Sequence, residues 1–224
     1  MRRIATVIVS GLLLAACSTQ RPLWRVAEDG EYWYKAEQFE RSATDFGEYV
    51  TRKPDHVEMR FNLARSLVAA GQPREALSHL SVCTDVEPLN DKYLDLQARA
   101  LFDAGEREQL VEILARAASE RGRVQDFVRL GVFSQRLGNL DEAEQALLTA
   151  AKIDRGRSVI VQRSLADFYG SIGDTDRQRR RLRMAYYLQP DNLETIEAAR
   201  ALGEIPGPTF GLVPEEVRLT NVPE

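Results

Sequence analysis

"FNLARSLVAAGQPREALSHLSVCTDVEP", residues 61–88, holds two helix-period patterns joined at a glycine. Leu63, Ala64 and Leu67 precede Gly71, and Ala76, Leu80 and Cys83 follow it. Spacings of three and four put each set on one helical face. Gly71 can supply the positive φ that closes many helices, Pro73 suits the first turn of the next, and Pro88 stops it. The segment is therefore expected to form two antiparallel helices that share one apolar seam.

The same design recurs outward in both directions. Gly71, Gly105, Gly138 and Gly173 follow one another at intervals of 34, 33 and 35 residues, and Glu37 stands 34 before Gly71 in the same column. Before these turns come Ala98 and Leu101; Leu130 and Gly131; Leu165, Ala166 and Tyr169. After them come Ser42, Phe46 and Tyr49; Leu110, Leu114 and Ala117; Ala143, Leu147 and Ala150; Leu182 and Ala185. Gly30, Ala64, Ala98, Gly131 and Ala166 form a column of small residues where two helix backbones must approach closely. Pro54 and Pro190 close further repeats, whereas the third ends at Gly122 and the fourth at Arg155. Asp141 with Glu144 suits the start of a second helix.

Self-similarity at this period identifies a repeat architecture. The stretches 61–88 and 130–154, "LGVFSQRLGNLDEAEQALLTAAKID", resemble the tetratricopeptide repeat, and the resemblance covers residues 23–190 in five repeats. It implies an all-α solenoid of helix-turn-helix repeats over 23–203, with residues 191–203 as a capping helix over the last repeat. Residues 204–224 contain four prolines and no helical period, so they read as a tail. Such a tail is either disordered or folds "PTFGLVP" (208–214) back along the last helices or onto a partner.

The N-terminus carries a different signal. Arg2 and Arg3 precede an apolar run from Ile4 to Ala16, too short for the roughly 20 residues a membrane-spanning helix needs. A basic start, a short apolar core and small residues are the layout of a secretory signal. Leu14-Ala15-Ala16-Cys17 resembles the lipobox of bacterial lipoproteins. That resemblance implies cleavage of residues 1–16, lipid attachment at Cys17, and residues 17–22 as lipidated cysteine and spacer. Two or more acyl chains make a stable anchor where one does not. Ser18 after the cysteine resembles the family's signal for transport to the outer membrane, so its periplasmic face is the expected location over the inner membrane.

Composition narrows the chemistry. The chain has a formal charge of −4, and loss of residues 1–16 removes two arginines and no acids. A mildly acidic protein has no global attraction for nucleic acid. Cys83 is left without a partner if Cys17 is lipidated, so the fold must rest on its apolar core. The two histidines, His56 and His79, have no metal-ligand spacing, and no metal or cofactor is expected. No nucleophile-elbow, zinc-hydrolase or phosphate-loop motif occurs, and no catalytic residue is assigned.

Function is therefore sought in binding surfaces. In the tetratricopeptide family the first helices line a concave groove. Two residues either side of the core columns, this places Phe61, Arg65, Val68, Asp95, Arg99, Phe102, Val128, Val132, Gln135, Arg163 and Asp167 on the groove faces. Such a mixture suits an extended peptide or helix of a protein partner, held by apolar anchors and charge pairs; the alternative is that the same side chains pack between neighbouring repeats. The Lys and Asn set of chaperone-binding members is not reproduced. The resemblance implies a membrane-anchored interaction scaffold in an envelope assembly, such as pilus or secretin assembly, outer-membrane biogenesis or recruitment of cell-wall enzymes. A small-ligand or glycan-binding accessory protein using Arg65, Arg99 and Arg163 is the alternative. Two further clusters stand out. Trp24, Tyr32, Trp33, Tyr34, Phe39, Phe46 and Tyr49 crowd the first repeat, where Trp24 and Tyr34 lie off the core columns; they read first as an ordinary N-terminal cap, and alternatively as Trp and Tyr suited to a membrane boundary. "RQRRRLR" (177–183) reads as the solvated face of a helix rather than an anion site.

Overall fold

A computed structural model describes residues 20–219. Cys17 and the signal-like segment lie outside the described residues. Every regular element among the described residues is a helix. Five helix pairs follow in order: α1 (Leu23–Lys35) with α2 (Phe39–Arg52), α3 (Val57–Ala69) with α4 (Pro73–Val86), α5 (Asp91–Ala104) with α6 (Arg107–Arg121), α7 (Val124–Leu137) with α8 (Leu140–Asp154), and α9 (Val159–Ser171) with α10 (Thr175–Leu188). A shorter α11 (Leu193–Ala201) and a one-turn α12 (Glu215–Leu219) complete the chain.

The turns within the pairs share one hydrogen-bond pattern. The amide of Gln72 donates to the Leu67 carbonyl at 2.8 Å while that of Gly71 donates to Val68 at 3.1 Å. The same two bonds recur at Gly105–Glu106, Gly138–Asn139 and Gly173–Asp174. They satisfy carbonyls that a helix end leaves open, and they require a left-handed residue at the turn. Glu37 makes this turn too, at φ +58, without the freedom of glycine. The expected cap at Asp141 is not formed. Asn139 is the residue before α8, and Asp141 sits in the first turn, where its charge faces the positive helix end.

The core columns are buried throughout, with Phe46, Leu80, Leu110, Leu114, Leu147, Leu165 and Leu182 almost fully enclosed. Two small-residue positions show the close approach directly. A Cβ on Gly131 would stand 2.6 Å from Leu147 Cγ, and one on Gly30 would stand 3.0 Å from the Phe46 ring.

The described residues divide into two compact units, with the boundary after Tyr93, inside α5. In the first, α2 packs on both α1 and α3, and α3 on α4. A buried hydroxyl relay links its repeats: Ser42 donates to the Gly30 carbonyl at 2.8 Å and lies 2.8 Å from Ser66 Oγ. In the second, successive helices from α6 to α11 pack in order, and the first helices α7 and α9 also touch. Its centre joins Leu147, Ala150 and Ala151 of α8 to Val161, Leu165 and Phe168 of α9.

The segment after α11 folds back on the last pair. Phe210 is buried edge-on against Tyr186, ring centroids 5.3 Å apart. Arg183 Nε donates to the Phe210 carbonyl at 2.8 Å, and the Leu212 amide donates to the Arg183 carbonyl at 3.0 Å. Arg181 Nη1 meets the buried Glu216 carboxylate at 2.6 Å, and Gln162 Nε2 donates to the same group at 3.2 Å. Burial opposes ionisation of Glu216, but the hydrogen bond from Arg181 and its companions outweigh it and hold the carboxyl below its usual value.

This packing revises the reading of 177–183 as a solvated face at Arg181 and Arg183, while Arg177 and Arg180 stay exposed. Arg177 bridges Asp174 and Glu144 over the Tyr169 ring, Arg179 pairs with Asp176 and Glu204, and Arg180 pairs with Glu215. Arg181 and Arg183 hold the returning segment. The run is basic because acids from four other places in the chain come to meet it.

Candidate functional site

Val124, Val128 and Val132 recur every four residues along α7 and form one β-branched stripe. With Phe133 of the same helix, Ile160 and Val161 at the start of α9, and Asp95 of α5, they line a pocket of about 580 Å³ within the second unit. Ile160 is 69% exposed at the edge of this pocket.

The floor of this pocket is polar and fully engaged. The Arg129 side chain is only 7% exposed and spans Asp126, at 2.8 Å, and Asp95, at 2.5 Å. The Asp126 carboxylate is wholly buried and also receives Arg123 Nε at 2.8 Å, with Arg121 at 3.6 Å. A buried carboxylate is tolerable only with such pairing. The cluster fixes the first turns of α7 and so the bearing of the valine stripe. The Asp95 side chain stays 60% exposed at the rim although one oxygen accepts from Arg129. The result is an apolar slot with one solvent-facing carboxylate beside it, suited to an apolar side chain that has a cation nearby.

Of the eleven residues expected on groove faces, the first three lie in the first unit and the other eight in the second. Asp95, Val128 and Val132 converge on the pocket. Phe102 is half-buried against Phe133, centroids 6.0 Å apart, with the Arg136 guanidinium 3.9 Å above its ring. Gln135 is half-buried further along α7. Arg99 is exposed and pairs with Asp103 at 3.6 Å. Arg163 pairs with Glu194 of α11. Asp167 lies on the same helix as Arg163, and partial desolvation lifts its carboxyl above the usual value, opposed by Arg163 and aided by Glu194.

In the first unit, three placements follow the packing alternative rather than the groove face. Val68 is buried, because its column turns inward at the end of α3. Phe61 is half-buried, its ring 4.9 Å from that of Tyr93. Arg65 lies 3.9 Å over the Tyr34 ring and pairs with Glu31 at 2.8 Å, so Tyr34 is engaged between repeats. Repeat-to-repeat packing takes up these side chains. All three arginines of the ligand-binding alternative, Arg65, Arg99 and Arg163, have carboxylate partners within the chain.

The sequence reading missed the other residues of the pocket: Val124, Gln125, Arg129, Phe133, Ser158, Ile160 and Val161. Gln125 and Ile160 occupy one column, three residues before Val128 and Arg163, and a face drawn one turn wider would have included both. Elsewhere, a pocket of about 470 Å³ with mixed polar and apolar lining between α2, α3 and α4 includes His79, which lies 3.3 Å from Arg60. Desolvation and then Arg60 hold its imidazole below the usual pKa. Among the described residues no group of three or more His, Cys, Asp or Glu could hold a metal ion.

No family model matches the chain, and no curated protein matches it. Solved structures do. A thermophilic tetratricopeptide-repeat protein of Thermus thermophilus superposes with a TM-score of 0.57 at 20% identity, covering 82% of this chain and 100% of that one. A tetratricopeptide-repeat protein from Parabacteroides merdae gives 0.59 at 16% identity, covering 80% and 72%. YrrB, described as a tetratricopeptide-repeat protein with an unusual peptide-binding site, gives 0.50 at 14% identity, covering 80% and 92%. These likenesses, with the recurring turn and the consecutive packed pairs, establish that the chain has the fold of a tetratricopeptide-repeat protein.

Proposed function

We propose that this protein is a membrane-anchored lipoprotein whose second unit holds a segment of another protein in an envelope assembly. The observation that carries the binding reading is the α7–α9 slot, where half-buried Val128, Val132 and Phe133 and exposed Ile160 line an opening beside the paired Arg129. Apolar pockets with a few fixed polar groups are the ordinary form of a recognition site. The peptide-binding site attributed to YrrB supports a protein segment as the occupant. The slot suits a partner segment with an apolar anchor and a neighbouring Lys or Arg, the cation meeting Asp95. Lipid attachment at Cys17 rests on the lipobox-like residues 14–17, and the periplasmic face of the outer membrane on Ser18.

Cross-linking in the native envelope tests this. Ile160→Asp places a charge at an exposed position, so the helical signal and melting temperature should stay and the cross-linked partner should be lost. Retention of that partner by a folded Ile160→Asp, Val132→Asp double variant would refute the slot as the binding site. Mass spectrometry of the mature N-terminus tests the anchor separately, since an unmodified peptide beginning before Cys17 is incompatible with it.

A further inference from the structure

We infer that the outer side of α1 is a membrane-contacting surface, with Trp24 seated in the interfacial layer of the bilayer. The inference rests on the anchored reading above and adds to it an orientation. Its starting point is Arg21, four residues after Cys17 in sequence. Arg21 Nη2 lies 2.6 Å from both Asp45 and Glu48, and Nη1 lies 3.2 Å from Asp29. Its own carbonyl accepts from Arg52 Nη1 at 2.7 Å. The guanidinium thus ties the start of the domain to α1 and α2, and the main chain is tied again through Arg52. Only residues 18–20 separate this clamp from Cys17, a reach of about 14 Å between the two Cα atoms at full extension. An acylated Cys17 would hold the first repeat against the bilayer on a short leash.

The surface nearest that leash has the composition such contact requires. Trp24, one residue into α1, is 67% exposed, and Tyr32, about 12 Å along the helix, is 62% exposed. Both residue types combine an apolar body with a polar tip and favour the membrane–water boundary. The charges between them are neutralised locally. Arg25 pairs with Glu28 and Asp29, and Glu31 meets Arg65 at 2.8 Å and Lys35 at 3.9 Å. This balance leaves no excess of positive charge, so the surface fits a neutral lipid interface rather than an anionic one, and the ion pairs limit contact to the interfacial layer.

The chain supplies its own reporter. It has two tryptophans, Trp24 and Trp33, and Trp33 is half-buried beneath Arg41, 4.9 Å from its ring. A Trp33→Phe variant leaves Trp24 alone. Purified from the host envelope, it is reconstituted in phosphatidylcholine vesicles with and without brominated acyl chains, and its Cys17 peptide is analysed in parallel. Acylated protein should show a blue-shifted Trp24 emission that brominated lipid quenches, with no gain on adding phosphatidylglycerol. Arg21→Ala in that background should lose part of the quenching while acylation and helical signal persist. Acylated protein whose emission ignores brominated lipid overturns the α1 surface and leaves the anchor standing. Shielding from acrylamide without lipid quenching overturns it in favour of a second protein surface. Absence of acylation overturns the anchor, and the inference with it.

Discussion

Glu37 holds a left-handed backbone at the turn where four other repeats place glycine. A side chain in that region costs about 1–2 kcal/mol, partly offset because glycine loses more freedom on folding. Glu37→Gly should therefore raise stability by up to about 1 kcal/mol in urea titration, whereas Gly138→Ala should lower it by about 1–2 kcal/mol. The column was visible in the sequence, since spacing placed Glu37 with the glycines, and the geometry follows from the two turn hydrogen bonds. Cys83 shows the same dependence on its surroundings. It is buried, and burial pushes its thiol up to about 11, so it is a protonated, enclosed group at neutral pH. A thiol reagent should react with it at the rate of opening of the α3–α4 pair and immediately in denaturant; fast reaction in the native state would contradict this placement.

Among the helices, packing decides how much each small residue matters. Gly131→Ala forces a methyl into Leu147 and should cost about 1–3 kcal/mol of overpacking, only partly recovered by about 1 kcal/mol of helix propensity. Gly30→Ala meets the Phe46 ring at 3.0 Å, a longer approach than the 2.6 Å at Gly131, and should cost less in the same melting assay. The C-terminal segment is an element held by few groups. Glu216→Gln removes one partner of a buried pair, worth about 3–5 kcal/mol, but the loss is capped by the free energy of peeling the segment away. The expected outcome is loss of hydrogen-exchange protection at Leu212 with little change in global melting. Acid should act alike. Because the folded Glu216 pKa is lowered, its stabilisation is fully present above the unfolded value of about 4.3 and is lost as pH falls through the lower folded value. Leu212 protection should drop in that window, and in Glu216→Gln it should be pH-independent there.

At the scale of the molecule, repeats contact chiefly their neighbours, so stability accumulates locally. The chain divides after Tyr93, and each unit has its own core. Heat unfolding should accordingly depart from two-state behaviour, with a calorimetric enthalpy above the van't Hoff value. Destabilising Gly131 should move only one part of the transition, and a single coincident transition by all probes would argue for tighter coupling.

The sequence by itself determined the helix pairs, their turns and their core columns. Those features are set by residues within one or two helical turns of each other, and their period is readable in one dimension. The candidate site was only partly legible for the opposite reason. Whether Phe102 stands open or lies beside Phe133, whether Arg181 meets water or Glu216, and whether the valine stripe of α7 faces Ile160 are contacts across about 30 residues of chain. A helix pattern shows which side turns away from its own core, but not what another part of the chain lays over that side. Only the tertiary structure decided that most arginines of 177–183 serve the fold, and that an open apolar surface remains between α7 and α9.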